Sequence, residues 1–118
     1  TDYYDNGQKK YERTWKGQEL DGPVTWWYEN GQKRQQINYK DGKKDGLANA
    51  WHKNGQKELE GNYKDGKRVG LMTGWYDNGQ KKEEFNSKDG KKDGLETKWD
   101  ENGVKQSEVN YKDGKVVD

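Results

Sequence analysis

The sequence predicts an all-β fold, a repetitive antiparallel β-meander of consecutive hairpins in a single elongated layer. Three observations predict it. Two turn dipeptides recur at a fixed 24-residue step, strand-type segments lie between them, and aliphatic residues are too few to fill an enclosed core.

The repeat comes first. Asn-Gly stands at Asn6-Gly7, Asn30-Gly31, Asn54-Gly55, Asn78-Gly79 and Asn102-Gly103. Asp-Gly stands at Asp41-Gly42, Asp65-Gly66, Asp89-Gly90 and Asp113-Gly114, and Gly17-Gln18 fills that slot in the first copy. Trp27, Trp51, Trp75 and Trp99 keep the same step, as do Gly22, Gly46, Gly70 and Gly94. A constant period without gaps is the signature of an array. It divides the 118 residues into a single run of five units, roughly 1–22, 23–46, 47–70, 71–94 and 95–118.

Within a unit the turns separate two strands. In the fourth copy a short strand, Leu71 to Tyr76, runs into Asn78-Gly79, and a longer one, Lys81 to Ser87, runs into Asp89-Gly90. Asn-Gly is expected to form a two-residue type I′ turn, with positive φ at both positions, and Asp-Gly followed by Gly94 a longer connection. Pro23 is expected at a strand start, where its missing N–H is tolerated. No segment keeps apolar residues at helical spacing.

Alternation assigns the faces. Lys33, Gln35, Ile37 and Tyr39 are expected on one side and Arg34, Gln36 and Asn38 on the other; Lys57, Leu59, Gly61 and Tyr63 repeat the first set. A bulge-free turn, the register expected here, pairs Glu29 with Gln32 and Tyr28 with Lys33, which puts Tyr28 on the Tyr39 side and Trp27 opposite, beside Leu47; a one-residue bulge at the Gly would swap this assignment. Two strands per unit advance the sheet by roughly 10 Å, or about 50 Å over five units. Cross-strand aromatic pairs are expected to hold it. Its open edges, guarded by Lys and short strands, leave edge-to-edge self-association as an expected partner mode.

Composition supports an ordered but thin molecule. Leu, Ile, Val and Phe make up about 11% of the chain, below the roughly 20% under which disorder is expected. Yet aromatic residues reach 13% and the net charge is +1, against the low-aromatic, high-charge profile of disordered chains.

Function classes fall away in turn. With 0 Cys there is no disulfide framework and no thiolate chemistry. The single His52 occupies a slot filled by Tyr28 and Tyr76, which reads as a structural substitution. Asp41 to Gly46 superficially matches a calcium loop, but Lys43 stands where an oxygen ligand is required. Glu83 and Glu84 point to opposite faces of a strand, unlike a carboxylate dyad. No enzyme, metal or cofactor is expected. The 23 basic and 22 acidic residues interleave, so no nucleic-acid face is expected, and near-neutral charge speaks against attraction to anionic membranes. No leader-type segment opens the chain at Thr1. The absence of Cys suits bacterial cytoplasm and bacterial cell surface equally.

The segment Asn38-Tyr39-Lys40-Asp41-Gly42-Lys43-Lys44-Asp45-Gly46, recurring from Asn62 to Gly70, resembles the MORN repeat, whose pattern is roughly Tyr-x-Gly-x-Trp-x-x-Gly-Lys-x-x-Gly. Leu59-Glu60-Gly61-Asn62-Tyr63 and Tyr11-Glu12-Arg13-Thr14-Trp15 are the nearest single copies. The unit with Trp-Tyr-x-Asn-Gly-Gln-Lys is similar to a bacterial variant of that repeat found in YwqK-type antitoxins. The likeness covers essentially the whole chain. Departures are Gly17-Gln18 for Asp-Gly, Val69 for Asp45, Ser87 for Tyr39, Pro23 for Leu47 and Asp100 for Tyr28. The resemblance implies an elongated β-meander serving as a binding scaffold and, in the antitoxin members, a toxin protein as partner.

The expected function is therefore a non-catalytic scaffold for protein–protein interaction. Tyr28, Tyr39, Tyr63, Tyr76 and Phe85 are the expected anchors, with Lys33, Lys57 and Lys81 giving charge complementarity. Trp27, Trp51, Trp75 and Trp99 are expected to be structural. The alternative is a cell-surface array binding choline, glycan or lipid headgroup through exposed rings.

Overall fold

The computed structural model describes residues 1–117; Asp118, the last residue of the expected fifth unit, lies outside the described residues. Among these there is no helix. The strands are β1 (Asp2–Tyr3), β2 (Lys9–Glu12), β3 (Trp15–Lys16), β4 (Glu19–Leu20), β5 (Gly22–Trp27), β6 (Lys33–Lys40), β7 (Lys43–Trp51), β8 (Lys57–Lys64), β9 (Lys67–Trp75), β10 (Lys81–Lys88), β11 (Lys91–Lys92), β12 (Gly94–Trp99), β13 (Lys105–Lys112) and β14 (Lys115–Val117). One antiparallel sheet runs β1-β2-β5-β6-β7-β8-β9-β10-β12-β13-β14, with β11 also on β10, while β3 and β4 form a separate small hairpin. The molecule measures 50 × 34 × 14 Å. That is the expected length, and its thickness is that of one layer.

The two turns exchange the roles expected of them. At Asp-Gly both residues have positive φ, 51° at Asp41 and 82° at Gly42, and Lys40 pairs directly with Lys43. This is the two-residue type I′ turn, not a longer connection, and it lengthens the incoming strand from the expected Leu71–Tyr76 to Lys67–Trp75. At Asn-Gly only the glycine is left-handed, 88° at Gly31. The Gly31 N–H donates to Tyr28 O at 3.0 Å and the Tyr28 N–H to Gln32 O at 2.8 Å. That pattern is a type I turn closed by a glycine bulge, so Glu29 does not pair with Gln32.

A second irregularity follows. Trp26 pairs with Gln35 and Trp27 with Lys33, leaving Arg34 as an extra residue. The expected Tyr28–Lys33 pair is therefore replaced, and Lys33 moves to the opposite side from Ile37 and Tyr39. The same shift occurs between Ala50 and Trp51, where Trp51 pairs with Lys57. Trp27 does lie opposite Tyr39, as expected, because Gly22 pairs with Tyr39 and alternation along β5 carries Trp27 to the other side.

The sheet thus has a tyrosine face and a tryptophan face. Across the middle of the tyrosine face runs one row, strand by strand: Val24, Ile37, Ala48, Gly61, Met72, Phe85, Glu96 and Val109. Its members Val24, Ile37, Met72 and Phe85 are the buried apolar residues. Gly61 makes room for Met72, since any Cβ there would collide with the Met72 Sδ. On the tryptophan face the central row is polar and still buried, with Thr25, Thr73 and Thr97 shielded by their long-chained neighbours.

Candidate functional site

Successive repeats are joined along both long edges of the ribbon by hydrogen bonds. On the Asn-Gly edge the Tyr28 hydroxyl donates to Trp51 O at 2.7 Å and the Tyr76 hydroxyl to Trp99 O at 2.8 Å. Tyr4 does the same to Trp27 O. His52 takes the tyrosine's place through Nε2, 2.9 Å from Trp75 O; because a carbonyl only accepts, Nε2 carries the proton. Its Nδ1 lies 3.3 Å from Glu58. Each asparagine adds a second forward link, for example Asn54 Nδ2 to Asp77 O at 2.7 Å. On the Asp-Gly edge the link runs backward, with the Gly66 N–H donating to Lys44 O and the Gly90 N–H to Arg68 O.

The tryptophan face carries a repeated pattern. Lysine ammonium groups sit 5.6 to 6.0 Å from indole centroids, Lys9 over Trp27, Lys33 over Trp51 and Lys81 over Trp99. In the same repeat slot lysines pair with acids three residues on, Lys9 with Glu12 at 3.3 Å, Lys81 with Glu84 at 3.0 Å, Lys105 with Glu108 at 2.7 Å, and Lys57 with Glu60, while Lys33 has Gln36 there. Such exposed pairs contribute little stability. Beside them Leu47, Leu71 and Leu95 stand 43, 49 and 42% exposed, one per repeat.

The tyrosine face holds Tyr39, Tyr63 and Tyr111, all half-buried, with Lys44 5.1 Å from the Tyr63 ring. Near the Asn-Gly edge an open groove of about 670 Å³ is lined by Tyr4, Tyr28, Glu29, Asn30, Arg34, Lys53 and Glu58. Glu96 is buried in the central row where its counterparts are Met72 and Ala48. Lys92 stabilises it from the side, while also lying 4.9 Å from the Phe85 ring and 5.2 Å from Tyr111. The hydrogen bond to Glu96 raises the Lys92 pKa above its ordinary value.

The expected binding residues do not converge on one surface. Lys33, Lys57 and Lys81 lie on the tryptophan face, and Tyr39 and Tyr63 on the other. Phe85 is buried, 7% exposed, so its ring is core. The hydroxyls of Tyr28 and Tyr76 are spent on the ladder between repeats. The exposed leucine row lies outside the sequence-predicted anchors; its 24-residue period is visible in the sequence, and its exposure is not. No cluster of three or more metal-ligating side chains occurs among the described residues.

A model of the MORN repeat variant matches residues 1–16, 20–41, 44–65, 68–89 and 92–113, which is nearly the whole chain. The chain belongs to the MORN repeat variant family. MORN repeats are non-catalytic scaffold units that commonly mediate contacts with proteins or membranes. No curated protein matches the chain. Each matched segment beyond the first contains one Asn-Gly turn and ends on the aspartate of the following Asp-Gly turn.

Proposed function

We propose that this MORN array is a non-catalytic scaffold that holds a protein partner against its tryptophan face, and that the partner is a toxin which the chain neutralises as an antitoxin or immunity protein. The leucine row carries the docking part of this reading. Leu47, Leu71 and Leu95 are exposed at one per repeat, and a regular apolar row left open to water marks an interaction surface. Glu60 and Glu84 stand in the next row, and Lys33, Lys57 and Lys81 one row further toward the Asn-Gly edge, so the fitting partner presents an apolar ridge beside charges of both signs. The toxin part rests on the likeness of the unit to the repeat of YwqK-type antitoxins. Tyr39 and Tyr63 offer a second, smaller contact surface behind the sheet.

Crosslinking and mass spectrometry in the native host test this reading. The wild-type chain should capture a discrete protein, and the triple variant Leu47→Asp, Leu71→Asp, Leu95→Asp should lose it while keeping its β-sheet circular dichroism. Capture that survives the triple variant but fails with Tyr39→Ser and Tyr63→Ser moves the site to the other face. Binding of glycans or lipids with no protein partner defeats the proposal.

A further inference from the structure

The five Asn-Gly turns share one backbone geometry but not one side-chain geometry. In all five the glycine N–H donates to the carbonyl three residues back, at 2.9 to 3.0 Å, from Gly7 to Gly103. In the first four the asparagine side chain is held at both ends. Its Oδ1 accepts the following glutamine N–H, as in Gln32 to Asn30 at 2.9 Å and Gln80 to Asn78 at 2.9 Å. Its Nδ2 donates to the carbonyl 23 residues on, as in Asn30 to Lys53 O at 3.1 Å and Asn78 to Glu101 O at 2.9 Å. The fifth turn differs because Asp100 replaces the tyrosine. The Asp100 Oδ1 accepts both the Asn102 N–H at 2.9 Å and the Val104 N–H at 3.0 Å. It thereby takes the donor that would hold the Asn102 Oδ1.

We infer that Asn102 is a spontaneous deamidation site, the one asparagine of the five whose Oδ1 is released from its own turn. Asparagine is thermolabile, and a following glycine offers no side chain to hinder the approach. The Gly103 backbone nitrogen, having given up its proton, attacks the Asn102 Cγ. A C–N bond forms, the bond to the side-chain nitrogen breaks, and ammonia leaves with the proton. Water then opens the five-membered succinimide at either carbonyl, giving aspartate or isoaspartate at position 102. At Asn30, Asn54 and Asn78 the bond from the turn N–H to Oδ1 must break before Cγ can swing over the glycine nitrogen. At the ordinary worth of one such bond this slows them by about fivefold. The modification places one more negative charge on the edge that already carries Asp77, Asp100 and Glu101.

Incubation of the folded chain at mildly alkaline pH, followed by peptide mapping with mass spectrometry, reads all five positions in one sample. Asn102 should convert about fivefold faster than Asn30, Asn54 and Asn78, and the five should converge when the chain is denatured in urea. Asp100→Tyr returns the Val104 N–H to Asn102 and should slow its conversion. Tyr76→Asp should conversely make Asn78 labile. Equal rates at all five positions in the folded chain overturn the inference, as does an Asn102 rate unchanged in Asp100→Tyr together with an Asn78 rate unchanged in Tyr76→Asp.

Discussion

The two long edges of the ribbon are closed by dipeptides that differ by a single side-chain group, Asn-Gly and Asp-Gly, yet each does something the other could not. An amide donates and accepts, so Asn78 bridges the Gln80 N–H of its own turn and the Glu101 carbonyl of the next repeat. A carboxylate cannot donate to a carbonyl. At the other edge the requirement is conformational: Asp65 sits at a φ of 51°, which aspartate tolerates better than most residues. Asparagine at one edge is thus a connector between units, whereas aspartate at the other only shapes its own hairpin.

Substituting glycine for the first residue of each dipeptide exposes this difference most directly. Asn78→Gly loses both bonds and should destabilise the chain by about 2 kcal/mol in urea melts. A cost below about 0.5 kcal/mol would show that the side-chain ladder contributes nothing net. Tyr76→Phe removes only the hydroxyl that reaches Trp99 O and should cost about 1 kcal/mol. Asp65→Gly, on the opposite edge, relieves a left-handed L-residue at the expense of chain entropy and should stay within about 0.5 kcal/mol of wild type. A loss as large as that of Asn78→Gly would erase the distinction between the edges. The smallest effect appears only in alkali. Glu96 raises the Lys92 pKa above 10.5, so the stabilising contribution is fully present below that value and is lost as pH rises through the higher folded pKa. Thermal melts should fall more steeply with pH above 10.5 for wild type than for Lys92→Met.

The architecture was legible because the period, the turn dipeptides and the scarcity of aliphatic residues all point to one layer of hairpins. The turn types were not. Asn-Gly and Asp-Gly carry the same left-handed preference, and what separates them is where the partner strand resumes. Arg34 and Glu58 are extra residues in their strands, and nothing in their chemistry announces a bulge; yet that one-residue slip moved Lys33 and Lys57 to the tryptophan face. Phe85 is as aromatic as Tyr39, and only its position in the central row buries it. Glu96 escaped notice because a buried acid depends on Lys92, whose reach across the sheet the strand pattern does not encode. The leucine row was readable, since Leu47, Leu71 and Leu95 share the period, but exposure follows from the shape of the sheet rather than from the spacing.

Among the described residues the first four units give an asparagine amide and a tyrosine hydroxyl or histidine N–H to the unit after them, and the last four give a turn-glycine N–H to the unit before them. The molecule therefore has a direction, like a row of tiles with a tongue on one side and a groove on the other. Gain or loss of one whole tile leaves every remaining joint intact, whereas adding or removing a few residues puts all later tongues out of line with their grooves. Variants that differ in length by multiples of the 24-residue step should fold alike, and their reach along the long axis should grow in steps of roughly 10 Å.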